Sequence, residues 1–229
     1  MYQWSKTQRI TLLGMFGAII FLLTFTPLGF PQIPIIGSAT IIHIPVIIGA
    51  ILLGPKSGAV LGFMFGLSSM IFASTQSLAL NAFAFTPLRP VPGTDSGSPW
   101  ALLIAFVPRI LVGVLSPLVY MSLTKVLPKK FSVASLSIAA VVGSMINTLL
   151  VLHLMFFIFR ESWSYAREAA VAAGTHTIPY PQITYAFIAS TIAMFGVPEA
   201  IAAAIIVPAV CLALFVVANR MAAPQGAQS

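Results

Sequence analysis

Long apolar runs alternate with short polar punctuation along the whole chain. The first run covers residues 10–28 and stops at Pro27-Leu28-Gly29. A second covers 36–53, interrupted by Pro45, and ends in the tight turn Gly54-Pro55-Lys56-Ser57. A third covers 58–74. A stretch rich in Pro, Gly, Ser and Thr follows over 75–98, and Ser98-Pro99 then reads as an N-cap with proline at the first helical position. The fourth run, 100–123, and the fifth, 131–159, flank a short basic turn containing Lys125, Lys129 and Lys130. Polar residues return over 160–182. The apolar segment 183–195 is too short to cross a bilayer, which fits an interfacial or re-entrant piece. Val197-Pro198-Glu199 opens the last run, 199–217.

Each long run has the length of a transmembrane helix, roughly 20 residues. The pattern predicts a single all-α membrane domain over 1–229 with six transmembrane helices. The long segments 75–98 and 160–197 are external loops that cap a ligand pocket. Composition agrees: 59% of the 229 residues are hydrophobic and 7% are charged, against roughly 25% charged in a soluble domain. So few charges cannot coat a water-soluble enzyme, a disordered chain or a secreted disulfide scaffold. The one cysteine, Cys211, lies in an apolar run and excludes an internal disulfide. Lys6 and Arg9 precede the first run as in a signal peptide. No small-residue cleavage site closely follows, which predicts a retained first helix.

The net charge of +7 follows topology rather than a nucleic-acid footprint. With six helices, Lys6, Arg9, Lys56, Lys125, Lys129, Lys130 and Arg220 share the side of the termini, with no acidic residue. Arg89, Arg160 and Arg167 on the other side are offset by Asp95, Glu161 and Glu168. The positive-inside rule then predicts cytoplasmic termini. The cytoplasmic turns are too short for a nucleotide-binding domain, and no Gly-x-x-x-x-Gly-Lys-[Ser/Thr] loop exists, so the chain is not expected to hydrolyse ATP. There is no His-Glu-x-x-His, no Gly-x-Ser-x-Gly and no pair of intramembrane aspartates. Neither an enzyme, a cofactor nor a metal site is indicated.

Few polar residues lie within the runs. With Pro99 at its helix start, Arg109 sits ten residues in, roughly 15 Å at the helical rise, near the middle of the bilayer. A charge there costs at least ~2.5 kcal/mol by insertion scales, so it needs an interior partner. Two readings stand: an arginine bonded to backbone carbonyls near Pro108, or a counter-charge for an anionic ligand. Ser144, Asn147 and Thr148, spaced i, i+3, i+4, share a face of the fifth run. They glue helices together or line a polar pocket. His153 belongs to another face, about 240° around at 100° per residue. His43 lies near the outer end of the second run, and Asn81 in the first long loop. Glu199, the acidic residue within a run, is placed at a first turn, where a carboxylate complements the helix dipole; a ligand contact or a pairing with Arg109 is the alternative. Gly54, Gly58, Gly62 and Gly66 recur every four residues, and the last three form a strip favouring internal helix packing. Gly14 and Ala18 form a shorter strip on the first run, suited equally to packing or to docking another membrane protein.

Three segments then resemble a known family. His43-Ile-Pro-Val-Ile-Ile-Gly-Ala-Ile-Leu-Leu-Gly54-Pro55-Lys-Ser-Gly58-Ala59, running on to Gly62 and Phe65-Gly66-Leu67-Ser68, is similar to the second and third helices of S components. These are the substrate-binding membrane subunits of energy-coupling factor (ECF) transporters. Pro108-Arg109-Ile-Leu-Val-Gly113 resembles the family's fourth helix, and Gly143-Ser-Met-Ile-Asn147-Thr148-Leu-Leu-Val-Leu152 its fifth. The resemblance runs in order over about 45–200. It implies a multi-pass protein of a prokaryotic cell membrane that imports a water-soluble vitamin. The implied partners are a transmembrane T component and two ABC-type ATPases. The family's first-helix Ala-x-x-x-Ala docking motif corresponds to Gly14 and Ala18, different in letter but also small. The His-Ile-Pro-Val, Pro-Arg-Ile-Leu-Val-Gly and Asn-Thr pattern looks most like pantothenate-type S components, with the riboflavin type as the alternative. The implied binding residues are Arg109, Asn147, Thr148, Ser144, His43 and Asn81. An explanation of another class is a secondary transporter or membrane scaffold without an ATPase partner.

Overall fold

The computed structural model describes residues 4–29, 32–33, 37–38, 40–75, 82–174 and 185–222. Seven α-helices and a small hairpin order along the described chain as α1 (Lys6–Thr24), β1 (Gln32–Ile33), β2 (Gly37–Ser38), α2 (His43–Leu53), α3 (Pro55–Thr75), α4 (Trp100–Val126), α5 (Ser132–Ala172), α6 (Tyr185–Thr191) and α7 (Val197–Ala222). Five helical stretches among the described residues are long and apolar enough to cross a membrane, and α2 is a shorter apolar helix. The protein is an all-helical integral membrane protein apart from the β1–β2 pairing.

α1 opens on a capping box: the Ser5 hydroxyl accepts from the Gln8 N–H, and the Gln8 side chain accepts from the Ser5 N–H. The Trp4 indole donates to the Leu52 carbonyl at 3.0 Å, pinning the start of α1 to the end of α2. At the other end of α1, Thr24 and Ser68 of α3 share a hydrogen bond of 3.0 Å.

The second apolar run does not form one broken span. Residues 32–33 and 37–38 pair antiparallel, Gln32 opposite Ser38, and the helix begins only at His43. Pro45 therefore lies in a first turn, where a missing N–H leaves no intrahelical bond unmade. α2 has 11 residues, about 16 Å of axis, roughly half a bilayer core. Every one of its residues is buried. A helix apolar all round belongs in the centre of a bundle, and α2 packs there against α1, α3, α4, α5 and α7. Gly54 turns the chain into α3 with φ 92° and ψ 171°, a conformation costly for any side chain.

α3 and α4 run antiparallel at backbone contact. A side chain on Gly58 would strike the Gly113 carbonyl, one on Gly62 the Arg109 carbonyl, and one on Gly66 the Ala105 carbonyl. Each step of four residues along α3 matches four residues back along α4. The glycine strip is thus an internal packing seam.

Prolines inside these helices leave carbonyls without their i+4 donor, and side chains take them up, as a lipid environment demands. Pro208 of α7 frees the Ala204 carbonyl, and Ser137 of α5 donates to it at 2.9 Å. Pro108 of α4 frees the Ile104 carbonyl, which receives Arg109.

Two further expectations change. α5 continues through Arg160 as far as Ala172, with non-helical angles only at Phe159 (φ −123°, ψ 18°). Polarity alone does not end a helix, and the Ala-, Glu- and Arg-rich residues 160–172 are good helix formers. The described part of the segment 183–195 is helical rather than a loop. From Tyr185 it runs through a π-helical turn, Ile192–Gly196, straight into α7. Val197 donates to the Ile192 carbonyl across the wide turn. Pro198 explains it: the proline ring cannot sit over an α-helical i−4 carbonyl, and a π turn moves that carbonyl aside. One apolar helix thus extends over Ile188–Asn219, and Val197-Pro198 lies in its interior rather than at its start.

Candidate functional site

The polar groups of the bundle gather toward the end opposite the Gly54 turn. Arg109 lies nine residues after Trp100, about 14 Å along α4, and is 6% exposed. Its Nη1 donates to the Ile104 carbonyl at 2.6 Å, while its Nε is buried without a hydrogen-bond partner among the described residues. The guanidinium carbon sits 5.4 Å from the Phe65 ring centre and 5.0 Å from that of Phe85. Two aromatic rings thus hold the cation in place. Phe85 comes from a 3-10 turn, Ala82–Phe85, whose first three residues are buried. Phe83 of that turn meets Phe159 of α5 edge to face at 5.5 Å. Ser74 bonds Thr86 at 2.8 Å and accepts Arg89 Nη2 at its carbonyl at 3.4 Å, fastening this part of the 75–98 segment to α3.

The face on α5 is formed as the spacing predicts. Ser144, Asn147 and Thr148 are all buried. Ser144 Oγ and Asn147 Oδ1 have no hydrogen-bond partner among the described residues. Thr148 Oγ1 donates to Glu199 Oε2 at 3.3 Å. Gly143 lies against the Ser116 hydroxyl. Counting back along the antiparallel pair places Arg109 level with residue 150, three residues, about 4.5 Å, beyond Asn147. His43, at the first position of α2, is fully buried, and neither ring nitrogen meets a partner at hydrogen-bond geometry among the described residues.

Glu199 is the residue that the sequence reading misplaced. The helix before it is continuous through the π turn, so it occupies no free helix N-terminus and no first-turn dipole explains it. Its carboxylate, 8% exposed, accepts the Thr40 N–H at 2.6 Å and the Thr148 hydroxyl at 3.3 Å. It joins the residues leading into α2, α5 and α7 at one point. Gly196, one turn earlier, lets the helix approach Thr148: a Cβ there would lie 2.9 Å from Thr148 Cγ2. Thr40, Phe65, Phe85 and Glu199 are thus site neighbours absent from the expected set. An intramembrane carboxylate was the one signal that could have raised Glu199. Asn81 lies outside the described residues.

Unsatisfied buried polar atoms are few in folded proteins, and each asks for a reason. Among the described residues they fall on Thr26, just past α1, and on His43, Arg109, Ser144 and Asn147 of α2, α4 and α5, and Glu199 of α7 is tied to the same α2–α5 region. The arrangement suits a small polar ligand with an anionic group. Gly14 and Ala18 lie apart from it. Both are exposed on α1, and a Cβ on Gly14 would meet nothing within 4 Å.

Two comparisons bear on this geometry. A family model described as ECF transporter, substrate-specific component, matches residues 8–211. The chain is also 39% identical over 178 residues to the pantothenic acid transporter PanT of Lactococcus lactis subsp. cremoris (strain MG1363), covering 76% of this chain and 87% of that protein.

Proposed function

Because the chain belongs to the family of substrate-specific components of ECF transporters, we propose that it captures pantothenate outside the cell for ATP-driven import. The observation that carries the reading is the set of buried, unpartnered polar atoms around Arg109 and Asn147 in a membrane bundle. Pantothenate has one carboxylate, an amide and two hydroxyls, and can satisfy such a set. The PanT relative carries that substrate in its name. Arg109 Nε receives the carboxylate, and Ser144, Asn147, Thr148 and His43 face the remaining polar groups, with Asn81 contributing from the 75–98 segment. The basic turns place the termini and the Gly54 turn in the cytoplasm, so the site opens outward. Residues 1–229 act as one membrane domain.

A transmembrane T component and two ABC-type ATPases supply the energy in this reading. The exposed Gly14–Ala18 face of α1 is the docking surface, since small residues allow close helix contact in lipid. Calorimetry of the purified chain with pantothenate, riboflavin, biotin and thiamine tests the substrate. Pantothenate binding without ATP or partners is the expected result, and tighter binding of riboflavin would transfer the reading to that vitamin. Uptake by proteoliposomes holding this chain alone, driven by an ion gradient, would overturn the ATP-driven part.

A further inference from the structure

Glu199 does more than an internal tie requires. It is acidic, buried, and set within a membrane-spanning helix. The three other acidic residues, Asp95, Glu161 and Glu168, lie outside the apolar runs. The groups that bond it are neutral: the Thr40 backbone N–H and the Thr148 hydroxyl. A glutamine could accept the Thr40 N–H through its amide oxygen and donate its amide N–H to the Thr148 hydroxyl, so these two bonds do not call for a carboxylate. An ionised carboxylate has about four acceptor positions, and the described residues fill two. Arg109, the opposite buried charge, is engaged elsewhere, on Ile104 and between Phe65 and Phe85. The bundle therefore keeps a cation and an anion in one region without pairing them.

Two residues with unpartnered atoms neighbour the donors to Glu199 along the chain. Asn147 adjoins Thr148, the donor to Glu199, and His43 follows three residues after Thr40, the other donor. The α4–α5 register separates Arg109 from Asn147 by about one helical turn along the axis.

We propose that Glu199 is the second pole of the binding site and sets its specificity: the carboxylate accepts the ligand's hydroxyl donors while Arg109 donates to the ligand's carboxylate at the other end. The assignment rests on the pantothenate reading above and fixes the direction of the ligand. Its carboxylate points toward Phe65 and Phe85 on the α3–α4 side, and its diol toward Thr40, Thr148 and α7. A ligand with a carboxylate but no hydroxyl donor at the far end is then discriminated against, because the buried carboxylate loses its donor and is left short of partners.

The test uses the full-length protein in lipid nanodiscs and calorimetry with pantothenate and with analogues lacking one or the other hydroxyl. Wild-type protein is expected to bind at least one deoxy analogue roughly ten- to hundredfold more weakly, the scale of a hydrogen bond to a charged group. Glu199→Gln is expected to lose a similar factor for pantothenate but little further for that deoxy analogue, since one contact is removed from either side. Equal fold-losses for both ligands in Glu199→Gln would make Glu199 a structural tie and overturn the proposal. Should Glu199→Gln not fold, the wild-type series still decides: deoxy analogues bound as tightly as pantothenate would overturn it. Failure of wild-type protein to bind pantothenate at all would instead bring down the substrate reading on which the proposal rests.

Discussion

Replacing Arg109 by glutamine separates its two roles in one experiment. The guanidinium caps the Ile104 carbonyl that Pro108 leaves without a backbone donor, and it lies between Phe65 and Phe85. Both contacts support the fold. An uncapped buried carbonyl costs about 1–3 kcal/mol, and each cation–π contact adds about 0.5–2 kcal/mol, so Arg109→Gln lowers thermal stability whatever the ligand. The second role belongs to the unpartnered Nε. A hydrogen bond between charged partners is worth about 1.5–3 kcal/mol, or roughly 10- to 150-fold in affinity. The neutral alcohol in which the carboxylate of pantothenate becomes a hydroxymethyl group makes only a neutral-acceptor bond there, and loses less when the charge goes. Calorimetry on the variant with both ligands reads the difference directly. The expected result is a loss for pantothenate at least several times that for the alcohol. Equal losses would refute the reasoning, because a weakened fold penalises both ligands alike. Arg109 would then be a carbonyl cap held by two rings, and the anion site would lie elsewhere.

Two further substitutions test the packing and the partner face. Gly58→Ala drives a methyl into the Gly113 carbonyl and the Ala50 side chain, and overpacking of that kind costs about 1–3 kcal/mol; denaturation in detergent should show it, while Gly14→Ala, with open space around it, stays neutral. Replacing Gly14 and Ala18 together by leucine should leave pantothenate binding intact and abolish co-purification with the T component and its ATPases; a normal complex would move the docking surface off this face of α1.

How much of this was legible in the sequence depends on what each signal measures. Apolar length reports burial in lipid or protein, and it located α1, α3, α4 and the long part of α5 and α7. It cannot tell a lipid-facing span from a helix sealed inside the bundle, so α2 and the hairpin before it read as one span of 36–53. The four-residue glycine spacing was informative because only backbone contact uses it, and it mapped onto the Gly113–Arg109–Ala105 side of α4. Polarity over 160–172 suggested a loop, yet solvent-exposed helix has the same composition. Phe85 was hidden for the opposite reason. It stands in a Pro- and Gly-rich segment that reads as irregular, and no periodicity signals that its ring covers a cation from another helix.

The misreading of Glu199 has a more specific cause. A proline followed by an acid is the usual mark of a helix start, and sequence alone weighs Pro198-Glu199 accordingly. A π turn reverses the inference, since it lets a helix pass through a proline with its backbone bonded in the wider pattern. The same turn reorients the residues after it: α7 leaves the turn with Gly196 against Thr148 and with the Glu199 carboxylate on the Thr148 hydroxyl and the Thr40 N–H. π turns recur at functional sites, and here the turn delivers a buried acid to the region holding the unpartnered groups of α2 and α5. Pro198 is thus a positioning residue rather than a boundary. The direction of the last helix, the approach allowed by Gly196 and the placement of the acid are consequences of one local departure from the α-helix.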